Sequence, residues 1–187
     1  LADVAELLER SGALLRGHFV LSSGRHSDVY VEKFRLLEQP AVLGELAGAI
    51  AAWARGHCPD VVAGPTTGGV IVAFEVARQM GLPALYVESV DGQKALRRGA
   101  RVEPGARVLV VDDVLTTGLS VAETCEALRG QGAVPVAAAV LIDRSEPVLD
   151  LGVPVFGAHR VEAVSYPADQ LPAWLAALPA TKPGTRA

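Results

Sequence analysis

The chain has 187 residues, half of them hydrophobic but only 5% aromatic, with 17 Lys and Arg against 21 Asp and Glu for a net charge of −4. At about 150 residues per domain this is one domain, long enough to bury a core without disulfide or metal staples. The apolar content excludes a disordered chain, and the acidic balance argues against a dedicated nucleic-acid binder. Two cysteines, Cys58 and Cys125, make neither a disulfide framework nor a Cys-rich zinc site. Residues 1–10 are charged and helix-patterned, unlike a signal peptide, and no unbroken apolar run reaches the ~20 residues of a membrane span. The expectation is a soluble cytoplasmic protein with neither nucleic-acid nor membrane partners.

In chain order, Val4, Leu7 and Leu8 form a helical stripe behind capping-box spacing at Asp3 and Glu6, ending at Gly12. An extended piece over 18–21, a turn at 22–24 and a strand around Val29 and Val31 follow. Pro40 opens a helix with Val42, Leu43, Leu46, Ile50 and Trp53 on one face. Residues 61–63 read as a strand stopped by Gly64 and Pro65. Helical periodicity then runs through Ile71, Phe74 and Val76 to a cap at Gly81. Next come a strand over 84–87, a long polar loop over 88–105, a strong strand over 107–111, a helix over 120–129 and a strand over 134–142. Beyond Arg144 the chain is broken by Gly152, Pro154, Pro167 and Pro172, with a short helix near 174–178 and a loosely held tail over 181–187. Strands alternating with helices over 60–142 predict an α/β fold, a central parallel sheet flanked by helices.

The chemistry concentrates in 108–120, Val-Leu-Val-Val-Asp-Asp-Val-Leu-Thr-Thr-Gly-Leu-Ser. An apolar strand delivers Asp112 and Asp113 at its carboxyl end, where open α/β sheets bind ligands. The backbone N–H groups of 116–120, with a helix dipole behind them, form a phosphate cradle. Gly118 lets the backbone come close, and the two carboxylates suit ribose hydroxyls or help place a cation. Ser120 and Glu123 also have capping-box spacing, which accounts for the serine structurally. Neither a G-x-G-x-x-G turn after a strand nor a G-x-x-x-x-G-K-[ST] loop is present. A second Gly-rich strand-to-helix turn spans 63–69; alone it is no more than a tight turn. Between Asp91 and Glu103 stand Lys94, Arg97, Arg98 and Arg101 with no acid. Alone this is a solvated basic loop; beside an anion site it is a mobile element that neutralises a leaving anion and excludes water.

Residues 108–120 resemble the signature of the type I phosphoribosyltransferases. That resemblance implies the family's α/β fold, with a core over about 39–144 and a small hood from about 1–38 and 145–180, within a single domain over 1–187. It implies that Asp112, Asp113, Val114, Leu115, Thr116, Thr117, Gly118, Leu119 and Ser120 bind the ribose and 5-phosphate of 5-phosphoribosyl 1-diphosphate (PRPP). Thr66, Thr67, Gly68 and Gly69 resemble the diphosphate loop, often built on a strained peptide. The basic stretch resembles the catalytic loop, with Lys94 matching its essential lysine and Arg97 and Arg98 beside it. In dimeric members that loop crosses to the neighbour's site, so a homodimer is implied. Asp112, Asp113 and Lys94 are the implied catalytic residues, with Mg2+ held mainly by substrate oxygens near the two aspartates.

Residues 19–30, Phe-Val-Leu-Ser-Ser-Gly-Arg-His-Ser-Asp-Val-Tyr, are similar to the entry motif of orotate phosphoribosyltransferases, which purine-specific relatives lack. This implies Ser23, Gly24, Tyr30 and Thr116 at the base. Arg144 matches an Asp-Arg-x-Glu element whose arginine binds orotate, a planar guanidinium suiting the 6-carboxylate; alternatively Arg144 forms a surface pair with Asp143 or Glu146. Two departures are visible: Ser22 stands where some members have a lysine, and Leu171-Pro172-Ala173-Trp174 stands where relatives often have Cys-Pro-x-Cys. The implied reaction joins orotate to PRPP, giving orotidine 5′-monophosphate and diphosphate. The alternatives are a phosphoribosyltransferase for another base and a non-catalytic PRPP or nucleotide sensor.

Overall fold

The computed structural model describes residues 4–21, 23–90, 92–97, 99–145, 150–161 and 164–183. Its elements begin with α1 (Val4–Arg10), β1 (Leu14–Val20), β2 (His26–Val31), α2 (Lys33–Leu37) and α3 (Pro40–Ala54). Then come β3 (Val61–Pro65), α4 (Gly68–Met80), β4 (Ala84–Val90), β5 (Gln93–Ala95), β6 (Arg107–Leu115) and α5 (Leu119–Arg129). The chain ends with β7 (Val134–Asp143), β8 (Val155–Arg160), β9 (Ser165–Tyr166), α6 (Ala173–Ala176) and β10 (Ala180–Thr181). Two units separate, one of residues 37–160 and one of 1–36 with 161–187.

The larger unit carries a six-stranded sheet in the order β5-β4-β3-β6-β7-β8. All neighbours are parallel except β4 and β5. This is the parallel α/β sheet expected from 60–142. Val108, Leu109, Val110 and Val111 are all fully buried, as a strand covered on both faces requires. Because side chains alternate along a strand, Val108 and Val110 pack with Val121, Cys125 and Leu128 of α5, while Leu109 and Val111 face the other way. Burial pushes the Cys125 thiol pKa up, in keeping with a core residue.

Several boundaries differ from expectation. The strand over 107–111 continues to Leu115, because β7 offers it partners as far as Leu115↔Asp143. The 88–105 segment is not one loop. Strand β4 extends to Val90, and Gly92, at φ 80°, turns the chain back so that Ser89 pairs with Lys94. The stretch over 155–160, expected in the hood, forms the β8 edge of the larger sheet. On α3 the expected face is buried, with Trp53 half-buried and stacked on Phe156 at 5.1 Å. On α4 two of the three periodic residues point outward, Phe74 at 65% and Ile71 at 40% exposed, while Val76 is buried. The inward stripe consists of smaller residues, Gly68, Gly69, Val72, Ala73, Val76 and Ala77.

The smaller unit holds a four-stranded sheet, β10-β1-β2-β9. The antiparallel β1–β2 pair is joined through 21–25, where Leu21 N donates to Arg25 O at 2.8 Å. His18 Nε2 and His26 Nδ1 lie 2.6 Å apart, and His18 Nδ1 meets Leu178 O at 3.0 Å. His26, which reads in sequence as a surface residue, is half-buried. Thr181, expected in a loose tail, pairs with Phe19 in a parallel β10–β1 ladder. The expected features at Asp3, Ser22, Glu146 and 184–187 lie outside the described residues.

Candidate active site

Two strand-to-helix turns meet at the carboxyl edge of the larger sheet. Strands β3 and β6 are parallel neighbours, with Val61 opposite Val108 and Ala63 opposite Val110. The turn after β3 is closed. A Cβ added to Gly64 would overlap the carbonyl oxygen of Gly69 and lie 2.6 Å from its carbon. One added to Gly68 would overlap Asp113 Oδ2, and one on Gly69 would lie 3.1 Å from Asp112 Oδ1. The glycines therefore admit the carboxylates of the neighbouring strand against the start of α4. Thr66 and Thr67 are exposed, the peptide between them is cis, and Thr66 N donates to Val87 O at 2.9 Å.

Asp112 and Asp113 lie within β6 rather than beyond it, and are 8% and 5% exposed. Each uses one oxygen to accept a backbone N–H: Asp112 Oδ1 from Asp113 at 2.8 Å, and Asp113 Oδ1 from Val114 at 2.7 Å. These bonds fix both carboxylates to the strand.

The turn after β6 is open. Val114 is half-buried and Leu115 buried, but Thr116 and Thr117 are exposed and Leu119 is 61% exposed. Gly118, at φ 73°, is the N-cap of α5 and brings no side chain of its own, and Leu119 N donates to Thr117 Oγ1 only at 3.5 Å. The capping box expected from Ser120 and Glu123 does not form, because the helix begins at Leu119 and Ser120 already lies in its first turn. A left-handed glycine stops the helix extending backwards and sets its start ahead of the serine. Neither α4 nor α5 has an acidic residue in its first turn or a side-chain N-cap bond. The positive end of α5 is thus presented to an anion at this sheet edge, while the start of α4 already has Asp112 and Asp113 packed against it.

Arg144 follows directly on β7, and its N–H donates to Leu115 O at 2.8 Å, tying it to the strand that feeds the open turn. It is half-buried. Asp143 Oδ1 accepts from Ser145 N at 2.8 Å and from Ser145 Oγ at 2.7 Å. Asp143 Oδ2 faces Arg160 Nη1 at 3.1 Å. Sequence reading missed Arg160, because the Gly- and Pro-broken stretch around it gave no strand signal.

Lys94 is half-buried on β5 and lines a groove with Glu123 and Glu126 of α5. Arg97 and Arg101 are exposed, and Arg98 lies outside the described residues. In the smaller unit, Ser23 and Gly24 occupy the exposed β1–β2 turn, and Tyr30 on β2 lies 5.6 Å from Phe19, ring to ring. Among the described residues no group of three or more His, Cys, Asp or Glu could hold a metal ion. No helix among them is long and apolar enough to cross a membrane.

Comparison with known proteins matches residues 35–157 to the phosphoribosyl transferase domain family. The chain is 46% identical to an orotate phosphoribosyltransferase of Maricaulis maris, over 98% of this chain and 96% of that one. It is 44% identical to the orotate phosphoribosyltransferase of Pelotomaculum thermopropionicum, over 98% and 97%. Its fold is similar to the crystal structure of orotate phosphoribosyltransferase from Aeropyrum pernix, with TM-score 0.73, 33% identity, and coverage of 86% of this chain and 94% of that one.

Proposed function

The chain belongs to the phosphoribosyl transferase domain family and, within it, to the orotate phosphoribosyltransferases, and on that premise we propose how its residues carry out the transfer. It moves the 5-phosphoribosyl group of PRPP to orotate, giving orotidine 5′-monophosphate and diphosphate in pyrimidine biosynthesis. The observation that carries this reading is the meeting of the two turns: glycines of the closed one lie against Asp112 and Asp113, which lead into the open one.

The 5-phosphate binds the open turn, on backbone N–H groups of Thr116, Thr117, Gly118, Leu119 and Ser120 and the positive end of α5. Val114 and Leu115 deliver the chain there from Asp112 and Asp113, whose carboxylates orient the ribose hydroxyls. Thr66, Thr67, Gly68 and Gly69 hold the diphosphate. Orotate lies against Thr116 and Arg144, the guanidinium meeting its carboxylate; for Ser23, Gly24 and Tyr30 a role at the base is supported by their match to the orotate entry motif. The C1–oxygen bond to diphosphate breaks and its electron pair leaves on that oxygen. The C1–N1 bond to orotate forms, and the N1 proton goes to solvent. Lys94, Arg97 and Arg98 neutralise the departing diphosphate, and most of the acceleration comes from positioning and charge stabilisation.

The donor set fits Mg2+. The carboxylates are hard oxygen ligands, and two of them suit an ion that draws its remaining ligands from substrate phosphates and water. Asp112 and Asp113 would hold it beside the ribose, and when bound it supplies positive charge to the diphosphate oxygens. A homodimer, with the 88–105 segment serving the neighbour's site, is supported by the outward apolar face of α4 at Ile71 and Phe74. A cytoplasmic setting suits two cysteines that form no disulfide. The test is loss of orotate absorbance with PRPP and Mg2+, with adenine, hypoxanthine and uracil in parallel. Orotate alone is consumed; turnover of another base in its place would refute the assignment.

A further inference from the structure

We infer that Arg160 is a positioning residue for base recognition, holding the 143–145 turn so that Arg144 presents its guanidinium to orotate. The inference rests on the role given to Arg144 above. Asp143 ends β7, Arg160 ends β8, and the two are register partners across the parallel pair. Arg160 Nη1 lies 3.1 Å from Asp143 Oδ2, and Nη2 donates to Ser145 O at 3.0 Å. One planar fork therefore bridges the residue before Arg144 and the residue after it, as a point-charge ammonium cannot. The other Asp143 oxygen closes the turn from inside, accepting from both Ser145 N and Ser145 Oγ. The middle of the turn is fixed by the bond from Arg144 N to Leu115 O. The strands approach closely enough that a Cβ on Gly157 would lie 2.7 Å from Asp143 Cβ, so the turn is braced by β8 as well as by its own bonds.

The arrangement has an electrostatic consequence. Asp143 is a carboxylate directly beside the arginine that is to receive a carboxylate substrate. Arg160 engages Asp143 Oδ2, while Oδ1 accepts from Ser145. Without Arg160 that charge competes with orotate for Arg144. The Arg160 side chain is 45% and that of Asp143 13% exposed, and solvent screening at the arginine keeps the pair's contribution to stability small. Its effect therefore falls on orotate affinity more than on folding.

The test is steady-state kinetics of Arg160→Ala, Arg160→Lys, Arg144→Ala and the Arg144→Ala/Arg160→Ala double variant, with thermal unfolding of each. Arg160→Ala is expected to raise the KM for orotate about tenfold, with the KM for PRPP and kcat changed less than about twofold. Arg160→Lys falls between it and the parent, and carries the test alone if the alanine variant does not fold. In the Arg144→Ala background, removing Arg160 changes the orotate KM no further. An unchanged orotate KM in the Arg160 variants, equal losses for both substrates, or additive effects in the double variant would overturn the inference while leaving the function standing. A parent enzyme that does not consume orotate would overturn both.

Discussion

The two turns at the sheet edge solve the same problem in opposite ways. After β3 the chain gives up side chains at three positions: Gly64, Gly68 and Gly69 pack where no Cβ fits, and the carboxylates of β6 fill the space beside Gly68 and Gly69. After β6 the chain needs one special glycine, Gly118 at φ 73°, and leaves Thr116 and Thr117 exposed. The closed turn is a packing element with an exposed tip; the open turn, proposed to take the 5-phosphate, has little packing of its own. Substitutions in the first should therefore cost stability, and those in the second should cost ligand affinity.

The largest effect belongs to the closed turn. Gly64→Ala drives a methyl into the backbone of Gly69, which cannot rotate away. Unfolding in urea should show a loss of about 3 kcal/mol, and a stability matching the parent would break the contrast. Next comes the cation proposed to serve the departing diphosphate. Lys94→Ala is expected to lower kcat about a hundredfold with PRPP binding largely intact; unchanged turnover would shift the role to Arg97 or Arg98. The open turn follows. Thr117→Ala should raise the KM for PRPP severalfold, while its midpoint in urea stays within about 0.5 kcal/mol of the parent.

The smallest effect is a control on α4, away from both turns. Hydrogen bonds from Arg78, then from Gln79, hold the Glu75 carboxyl below its ordinary value against the opposing pull of burial. A depressed carboxylate contributes stability that is fully present above the ordinary pKa and fades as pH falls through the folded value. Glu75→Gln should therefore cost a few tenths of a kcal/mol at pH 7, with the difference vanishing in acid and the KM for PRPP unmoved. A changed KM would mean that the helix body, not its first turn, tunes the site.

What was legible in the sequence follows the same division. The open turn is local: a buried strand, two acids, Thr-Thr-Gly and a helix start lie in one run, and their pattern sufficed. The closed turn reads by itself as a Gly-rich stretch, and only beside the open one does it resemble a diphosphate loop. The reason for its glycines is Asp112 and Asp113, far along the chain, and no local pattern carries that. On α4 the periodicity gave the helix but not its inward face: the sheet takes Val76 with the small residues and leaves Ile71 and Phe74 outside, so side-chain size is no guide to burial there. Strands β5, β9 and β10 were missed because they are short edge pieces defined by their partners, and β8 because Gly- and Pro-rich sequence precedes and follows it. Arg160 went unseen with β8, since its meaning lies in its register with Asp143.

The most direct measurement of the central claim is product analysis of the purified protein given orotate, PRPP and Mg2+, with orotidine 5′-monophosphate and diphosphate quantified over time. The account predicts that the two products accumulate in equal amounts as orotate disappears, and that neither forms when orotate is replaced by uracil. Diphosphate release without orotidine 5′-monophosphate, or no release at all, would contradict it.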